Sequence, residues 1–268
     1  MTEIFDNIRK LYRFYAPENE LADYIEFFSE SSASETHRYV ANNTFSIRMF
    51  PSWTPTMYIN LGEPYVIDVG TKSYQIQKHT DVLILRNNIV ERHNLPTDSI
   101  FTIKFFPGGL EAVLGINQVQ FVDQVVNLEM LLPEWLIRRV KQPICFEERI
   151  NLLQQYFLNQ YQLQRKSDHY RQFVSSTIGT FDDSGMVLKT GQLADRLYAT
   201  SKTINRYFRR VIGIPPKQHL SMVRIRAALT GYVTHRNQFF PDAYGYYDMS
   251  HFYKDVVRFT GKKLRESL

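Results

Sequence analysis

Cysteine is almost missing from this chain of 268 residues. The single thiol, Cys145, has no internal partner for a disulfide and is too few for a cysteine-rich zinc module, so stapled and zinc-finger scaffolds are excluded. Cys145 itself is expected to be a small buried hydrophobe. Long apolar runs are missing too: no stretch approaches the roughly 20 residues of a spanning helix. The opening MTEIFDNIRK lacks the basic start and apolar run of a secretory signal. A cytoplasmic chain with no membrane partner is the expectation.

Chemical signatures are equally sparse. The segment Phe106–Leu110 has two glycines but no Lys-Ser/Thr to hold a phosphate, so a strand-to-helix turn is expected there. Ser46, His79 and Asp81 have no nucleophile elbow around them. His37, His79 and His93 show no metal-ligand spacing. Neither catalysis nor a metal or other cofactor is expected.

What the chain does have is apolar material, 44% of its residues, which suffices for packed cores. Its charge is unevenly placed. From residue 186 onward fifteen Lys/Arg face five Asp/Glu, a net of +10, whereas residues 1–185 carry −5. A basic segment joined to an acidic one is the footprint expected of a polyanion binder, because phosphate contacts carry most non-specific affinity.

Residues 36–106 read as β-rich. Short runs at 44–49, 56–61, 64–69, 82–85 and 100–106, separated by Pro, Gly, Asn and Asp, suggest a barrel or two-sheet roll. Before them Leu21, Tyr24, Ile25 and Phe28 fit one helical face, with an extended strand as the alternative. After the turn at 107–109 the period becomes helical through Val140. A clearer helix spans 147–161, with Ile150, Leu153, Phe157 and Tyr161 on one face and Glu147 and Glu148 in its first turn. Residues 162–168 form the most polar connector. The predicted domains are 1–146, β-rich and sensory or dimerising; 147–167, helix and linker; and 168–268, all-α. Together they make an α+β chain: a β-rich roll or barrel with flanking helices, then two helix-turn-helix units joined by a long helix.

Residues 190–213 contain the first unit. Leu193, Ala194 and Leu197 form one apolar face, and Ile204, Tyr207, Phe208 and Val211 another. Thr200 is placed to cap the second helix and Gly213 to end it. Lys202, Asn205, Arg206 and Arg209 project together from the opposite side, as cations and an amide suited to base edges in a major groove. Residues 245–261 repeat the logic. Gly245 makes the turn, Asp248 the cap, and Phe252, Val256 and Phe259 the core stripe, leaving Ser250, His251, Tyr253, Lys254 and Arg258 for groove or phosphate. Between the units, a helix opening at Pro216 would carry Leu220, Val223, Ala227 and Ala228 inward.

These residues resemble the DNA-binding domain of AraC/XylS-type transcriptional regulators. The carriers are Leu193-Ala194, Thr200, Ile204, Arg206, Phe208, Gly213, Pro216, Arg224, Ala228, Gly245-Tyr246, His251-Phe252, Phe259 and Gly261. In the family, specificity positions match Lys202, Asn205 and Arg206, and then Met249, Ser250, His251, Tyr253 and Lys254. Tyr198 stands where a glycine is usual, Pro241 where alanine is usual and Lys254 where arginine is commoner; Val256-Val257 replaces a Phe-Lys pair, and the chain closes at Ser267-Leu268 without the family's ending. Pro241 is expected to shorten the supporting helix of the second unit. Residues 58–160 also resemble the N-terminal domain of a bacterial subset of the family, through Ile59-Asn60-Leu61-Gly62, Phe105 to Leu110, Asp123, Val125 to Leu128 and Glu148-Arg149. The resemblance implies double-stranded DNA, a small-molecule effector, a second copy of the chain and RNA polymerase as partners. Two other readings stay open: a cupin-like small-molecule-binding protein or enzyme with a basic tail, and a degenerate regulator acting through protein contacts.

Overall fold

The longest strands buried at every position are β4 (Pro55–Asn60) and β9 (Ile100–Phe105), and the first part of the molecule is layered around them. The computed structural model describes residues 10–18, 20–31, 33–164 and 168–263. It divides into two compact units, Met1–Met49 with Trp53–Ser167, and Asp168–Leu268 with Phe50–Ser52. Among the described residues no helix is long and apolar enough to cross a membrane.

In the first unit the other strands are β1 (Tyr12–Tyr15), β2 (Ile25–Ser31), β3 (Phe45–Met49), β5 (Tyr65–Val69), β6 (Lys72–Ile76), β7 (Val82–Leu85), β8 (Val90–Asn94) and β10 (Val125–Asn127). They form an antiparallel six-stranded sheet, β1-β2-β9-β4-β7-β10, and a four-stranded one, β3-β8-β5-β6. Ile47, Tyr65, Ile67 and Val90 of the smaller sheet meet Tyr58, Val82, Ile84 and Ile100 of the larger in one apolar cluster. The larger sheet's other face, with Met57, Ile59, Phe101 and Phe105, is covered by α2 (Gly109–Leu114), α3 (Glu134–Val140) and α4 (Phe146–Gln164). Burial on both faces explains why most of β4 and β9 is apolar, with Thr56, Asn60, Thr102 and Lys104 as buried polar exceptions.

Four expectations are corrected. Leu21 to Phe28 is a turn followed by strand β2, not a helix. A bulge between Ile25 and Phe27 shifts the register, so that Ile25 and Phe28, three apart, both reach the core and imitate helical spacing. Residues 36–40 belong to helix α1 (Ala33–Val40), whose Glu35 and Arg38 suit its two ends, rather than to the β-rich region. The helical period expected between 107 and 140 is interrupted by 3-10 turns at Gln118–Phe121 and Leu128–Met130 and by β10, which pairs with β7. Cys145 is exposed, not buried, because it lies at the entry to α4, where its N–H donates to Glu148 Oε2 at 2.9 Å.

The turn at Pro107-Gly108-Gly109 has a steric reason. Gly108 has φ 77°, and a Cβ on Gly109 would lie 2.0 Å from the Tyr24 carbonyl oxygen.

The second unit holds α5 (His169–Asp183), α6 (Thr190–Arg196), α7 (Ser201–Val211), α8 (Pro216–Thr234) and α9 (Met249–Thr260). Pro216 opens α8 as expected, but its inward face is rotated. His219, Leu220, Met222, Ile225, Ala228, Leu229 and Tyr232 are buried, while Val223 and Ala227 are only partly covered. Of the polar connector, residues 162–164 continue α4 and residues 165–167 lie outside the described residues.

Candidate nucleic-acid interface

Helix α7 begins at Thr200, whose hydroxyl accepts the Thr203 N–H at 3.0 Å, and ends where Gly213 N–H bonds back to the Phe208 carbonyl. Ile204, Phe208 and Val211 anchor it, with Leu193 and Ala194 of α6 buried beside them. That anchoring leaves Lys202, Arg206 and Arg209 exposed on the far side and Asn205 half-buried among them. Arg209 Nε donates to Asn205 Oδ1 at 2.9 Å, and the Arg206 guanidinium sits 5.2 Å from the Tyr207 ring centre. The face is therefore partly ordered before any ligand arrives.

The turn between α6 and α7 is strained. Tyr198 has φ 50° and is 100% exposed, so its ring gains nothing from burial while its backbone sits in a region costly to bulky residues. Tyr198→Gly is expected to stabilise the second unit by about 0.5–1 kcal/mol, the left-handed penalty removed less the entropy that glycine adds. Thermal unfolding followed by circular dichroism measures it, and a lowered midpoint would contradict the strain.

Helix α9 is capped by Asp248, which accepts the His251 N–H at 2.7 Å. Phe252, Val256 and Thr260 are buried, and Phe259, expected in the core stripe, is only half-covered. Ser250, His251, Tyr253 and Lys254 are exposed, as is Arg258, while Met249 is half-buried. His251 is also tied inward, its Nδ1 accepting the Tyr247 N–H at 3.4 Å and its ring set edge-on against Tyr246. The buried Tyr246 hydroxyl donates to Asp255, and burial followed by that carboxylate pushes its pKa well up. Arg224 of α8 spans the same group, 3.4 Å from Asp255 Oδ2 and 4.7 Å from the Tyr246 ring centre.

Among the described residues no regular helix lies between α8 and α9. In its place are 3-10 turns at Arg236–Gln238 and Pro241–Tyr244. Pro241 starts the second of these, in keeping with the shortening its missing N–H predicts. Aromatic packing substitutes for the helix: Phe239 stacks on Tyr244 at 5.5 Å and meets Phe252 at 4.8 Å. Gly231 makes this possible, since a Cβ there would lie 1.9 Å from the Tyr244 hydroxyl. The closing Ser267-Leu268 lies outside the described residues.

With this geometry in hand, no family model matches the chain, and neither does any curated protein. Solved structures do align with it. ToxT from Vibrio cholerae O395 aligns at TM-score 0.48 and 11% identity, over 84% of this chain and 96% of that one. An unsaturated-fatty-acid-bound ToxT from strain SCE256 gives 0.47 and 11%, over 84% and 95%. The AraC-like transcriptional activator CuxR gives 0.30 and 10%, over 85% and 92%.

Two residues outside the predicted set, Tyr198 and Tyr247, are almost wholly exposed at the turns preceding α7 and α9. Nothing in the sequence separates such tyrosines from core ones. In the first unit Ser46, His79 and Asp81 do not come together. Ser46 Oγ lies 2.8 Å from His93 Nδ1, whose Nε2 is 2.6 Å from Asp68, whereas Asp81 is buried against Lys141 and the Asn60 N–H. No group of three metal-ligating side chains forms among the described residues.

Proposed function

We propose that this chain is a sequence-specific, DNA-binding transcriptional regulator of the AraC/XylS type. The observation that carries the reading is α7, a capped and anchored helix whose free side presents Lys202, Arg206 and Arg209 around Asn205. Such a face suits the major groove, where Arg and Lys pair with guanine and Asn with adenine. Ser250, His251, Tyr253 and Lys254 of α9 supply the second contact, weighted toward the backbone because its supporting helix is reduced to 3-10 turns. Lys254 and Arg258 add phosphate contacts.

In this reading the first unit is the sensor. A small molecule held between its sheets changes the regulator's activity only by binding two arrangements of the chain with different affinity. A second copy of the chain and RNA polymerase are the further partners proposed, and the cytoplasm the compartment.

Selection of DNA fragments from random and genomic pools with the purified full chain tests the proposal. The expected result is an enriched motif with one strong half-site, and a weaker one about 10 base pairs away on the same face of the duplex. Failure to bind any duplex at low salt would overturn it and favour a regulator acting through protein contacts.

A further inference from the structure

Among the described residues the two most exposed large hydrophobic side chains are Tyr198, at 100%, and Tyr247, at 92%. They stand at matching places. Tyr198 lies two residues before Thr200, the cap of α7, and Tyr247 lies one residue before Asp248, the cap of α9. Both are held on ordered backbone. The Tyr198 N–H donates to the Asp195 carbonyl at 3.3 Å, and the next N–H, that of Ala199, to the Ala194 carbonyl at 2.9 Å. In the other turn the Tyr246 N–H donates to the Pro241 carbonyl at 3.1 Å and the Tyr247 N–H to His251 Nδ1 at 3.4 Å. Tyr246 is buried, so this turn sends one tyrosine inward and the next outward.

A single exposed tyrosine is ordinary on a protein surface. Two features set these apart. Tyr198 occupies a left-handed backbone at φ 50° that glycine would hold without strain, and its ring recovers none of that cost by burial. Strain kept at a wholly exposed position points to a role outside the fold. The second feature is recurrence, since the turn before α9 repeats the placement. In a helix-turn-helix the second helix enters the major groove by its N-terminal residues while the helix before it crosses the backbone, so the turn between them lies at the sugar-phosphate strand. In the second unit the 3-10 turn at Pro241–Tyr244 stands where that preceding helix would. Around Tyr198 the exposed charges are Arg196 and Lys202 against one acid, Asp195, which favours an anion there. Tyrosine is among the side chains that bond phosphate oxygens. We infer that Tyr198 and Tyr247 are a pair of neutral backbone clamps, each hydroxyl donating to a phosphate beside the groove that its helix enters. The inference rests on the DNA-binding reading and adds to it contacts that fix the register of both helices without reading bases.

The test titrates the purified full chain against the fragment recovered by DNA selection and against a random duplex of equal length, at several salt concentrations. Tyr198→Phe and Tyr247→Phe remove only a hydroxyl from an exposed ring and are expected to melt as the parent does. Each is expected to bind about 5–10-fold more weakly, and by the same factor on both duplexes. The salt slope is expected to stay that of the parent, because a neutral phenol releases no counter-ion, whereas losing a cation that meets a phosphate lowers it by about one. Tyr198→Gly carries the sharpest signature: a higher melting midpoint together with a complex at least as weak as that of Tyr198→Phe. Unchanged affinity in either phenylalanine variant would overturn the inference and leave the rings to a protein partner. A loss confined to the selected fragment would overturn it by making the tyrosines base readers, and a reduced salt slope would overturn it by assigning the loss to displaced cations. A parent chain that binds no duplex at low salt overturns the DNA reading and this inference with it. A parent that binds, with variants that match it, overturns the inference alone.

Discussion

Arg206→Ala is expected to weaken binding to the selected site by about 1–3 kcal/mol, roughly 5–150-fold, while affinity for random duplex changes little. The side chain is exposed on α7, so its removal costs the fold almost nothing, and the melting curve should be that of the parent. Its guanidinium already lies over Tyr207, which lowers the entropy lost when it docks on a base edge. Arg209 provides the contrast. Its Nε donates to Asn205 Oδ1 at 2.9 Å, which holds its charge beside that amide and takes one of the oxygen's two lone pairs. Arg209→Ala is therefore expected to lower affinity evenly across sequences and reduce the salt slope by about one. Gel-shift titrations at several salt concentrations separate the two effects. Unchanged affinity and unchanged site preference for Arg206→Ala would remove it from the reading face.

Helix α7 was legible because everything that defines it is local: the Thr200 cap, the spacing of Ile204, Phe208 and Val211, and the Gly213 stop. Strand β8 was not. Its sequence, Val-Glu-Arg-His-Asn, turns Arg92 and Asn94 inward and His93 outward, so the polar residues that a pattern places on the surface sit in the core. Tyr12 and Tyr58 of the opposing sheet and Tyr65 of the neighbouring strand surround Arg92, and all three are distant from it in sequence. Helix α8 misled for another reason. It is packed on most sides, so no single stripe fixes its rotation, and Met222 and Tyr232 replaced Val223 and Ala227 as inward residues.

The residues that carried the resemblance in the first unit are architectural. Asn60 donates to the carbonyls of Glu63 and Gln77 and accepts the Gly62 N–H, which locks the end of β4. Asp123, at φ 57°, accepts from both Asn87 and Asn88. Arg149 is buried 2.9 Å from Glu30 and donates to the carbonyls of Val140 and Gln142. Motifs of this kind report a fold, and for that reason they gave no ligand residue.

Acidification is expected to move the two units in opposite directions. His219 is buried in the core of the second unit with its ring edge-on to Phe208 and its Nδ1 without a partner, and burial lowers its pKa from 6.5 to about 4. The folded unit keeps the imidazole neutral while the unfolded chain protonates it near pH 6.5. Stability is thus full above that pH and falls as the pH drops toward 4, by about 3 kcal/mol at the limit. In the first unit the buried carboxyls of Glu30, Asp81 and Asp98 all have raised pKa values, chiefly through burial, that of Asp98 reaching about 6. A raised carboxyl binds its proton more tightly when folded, so between pH 6 and the ordinary carboxylate range the first unit gains stability as the pH falls. Tryptophan fluorescence follows the first unit and far-ultraviolet circular dichroism the chain as a whole. At pH 7 and pH 5 the first midpoint should rise or hold while the second transition moves down. His219→Met should abolish most of the second shift, because it removes the only fully buried imidazole among the described residues of that unit. A second transition that stays as acid-sensitive in His219→Met as in the parent would assign the effect to other groups.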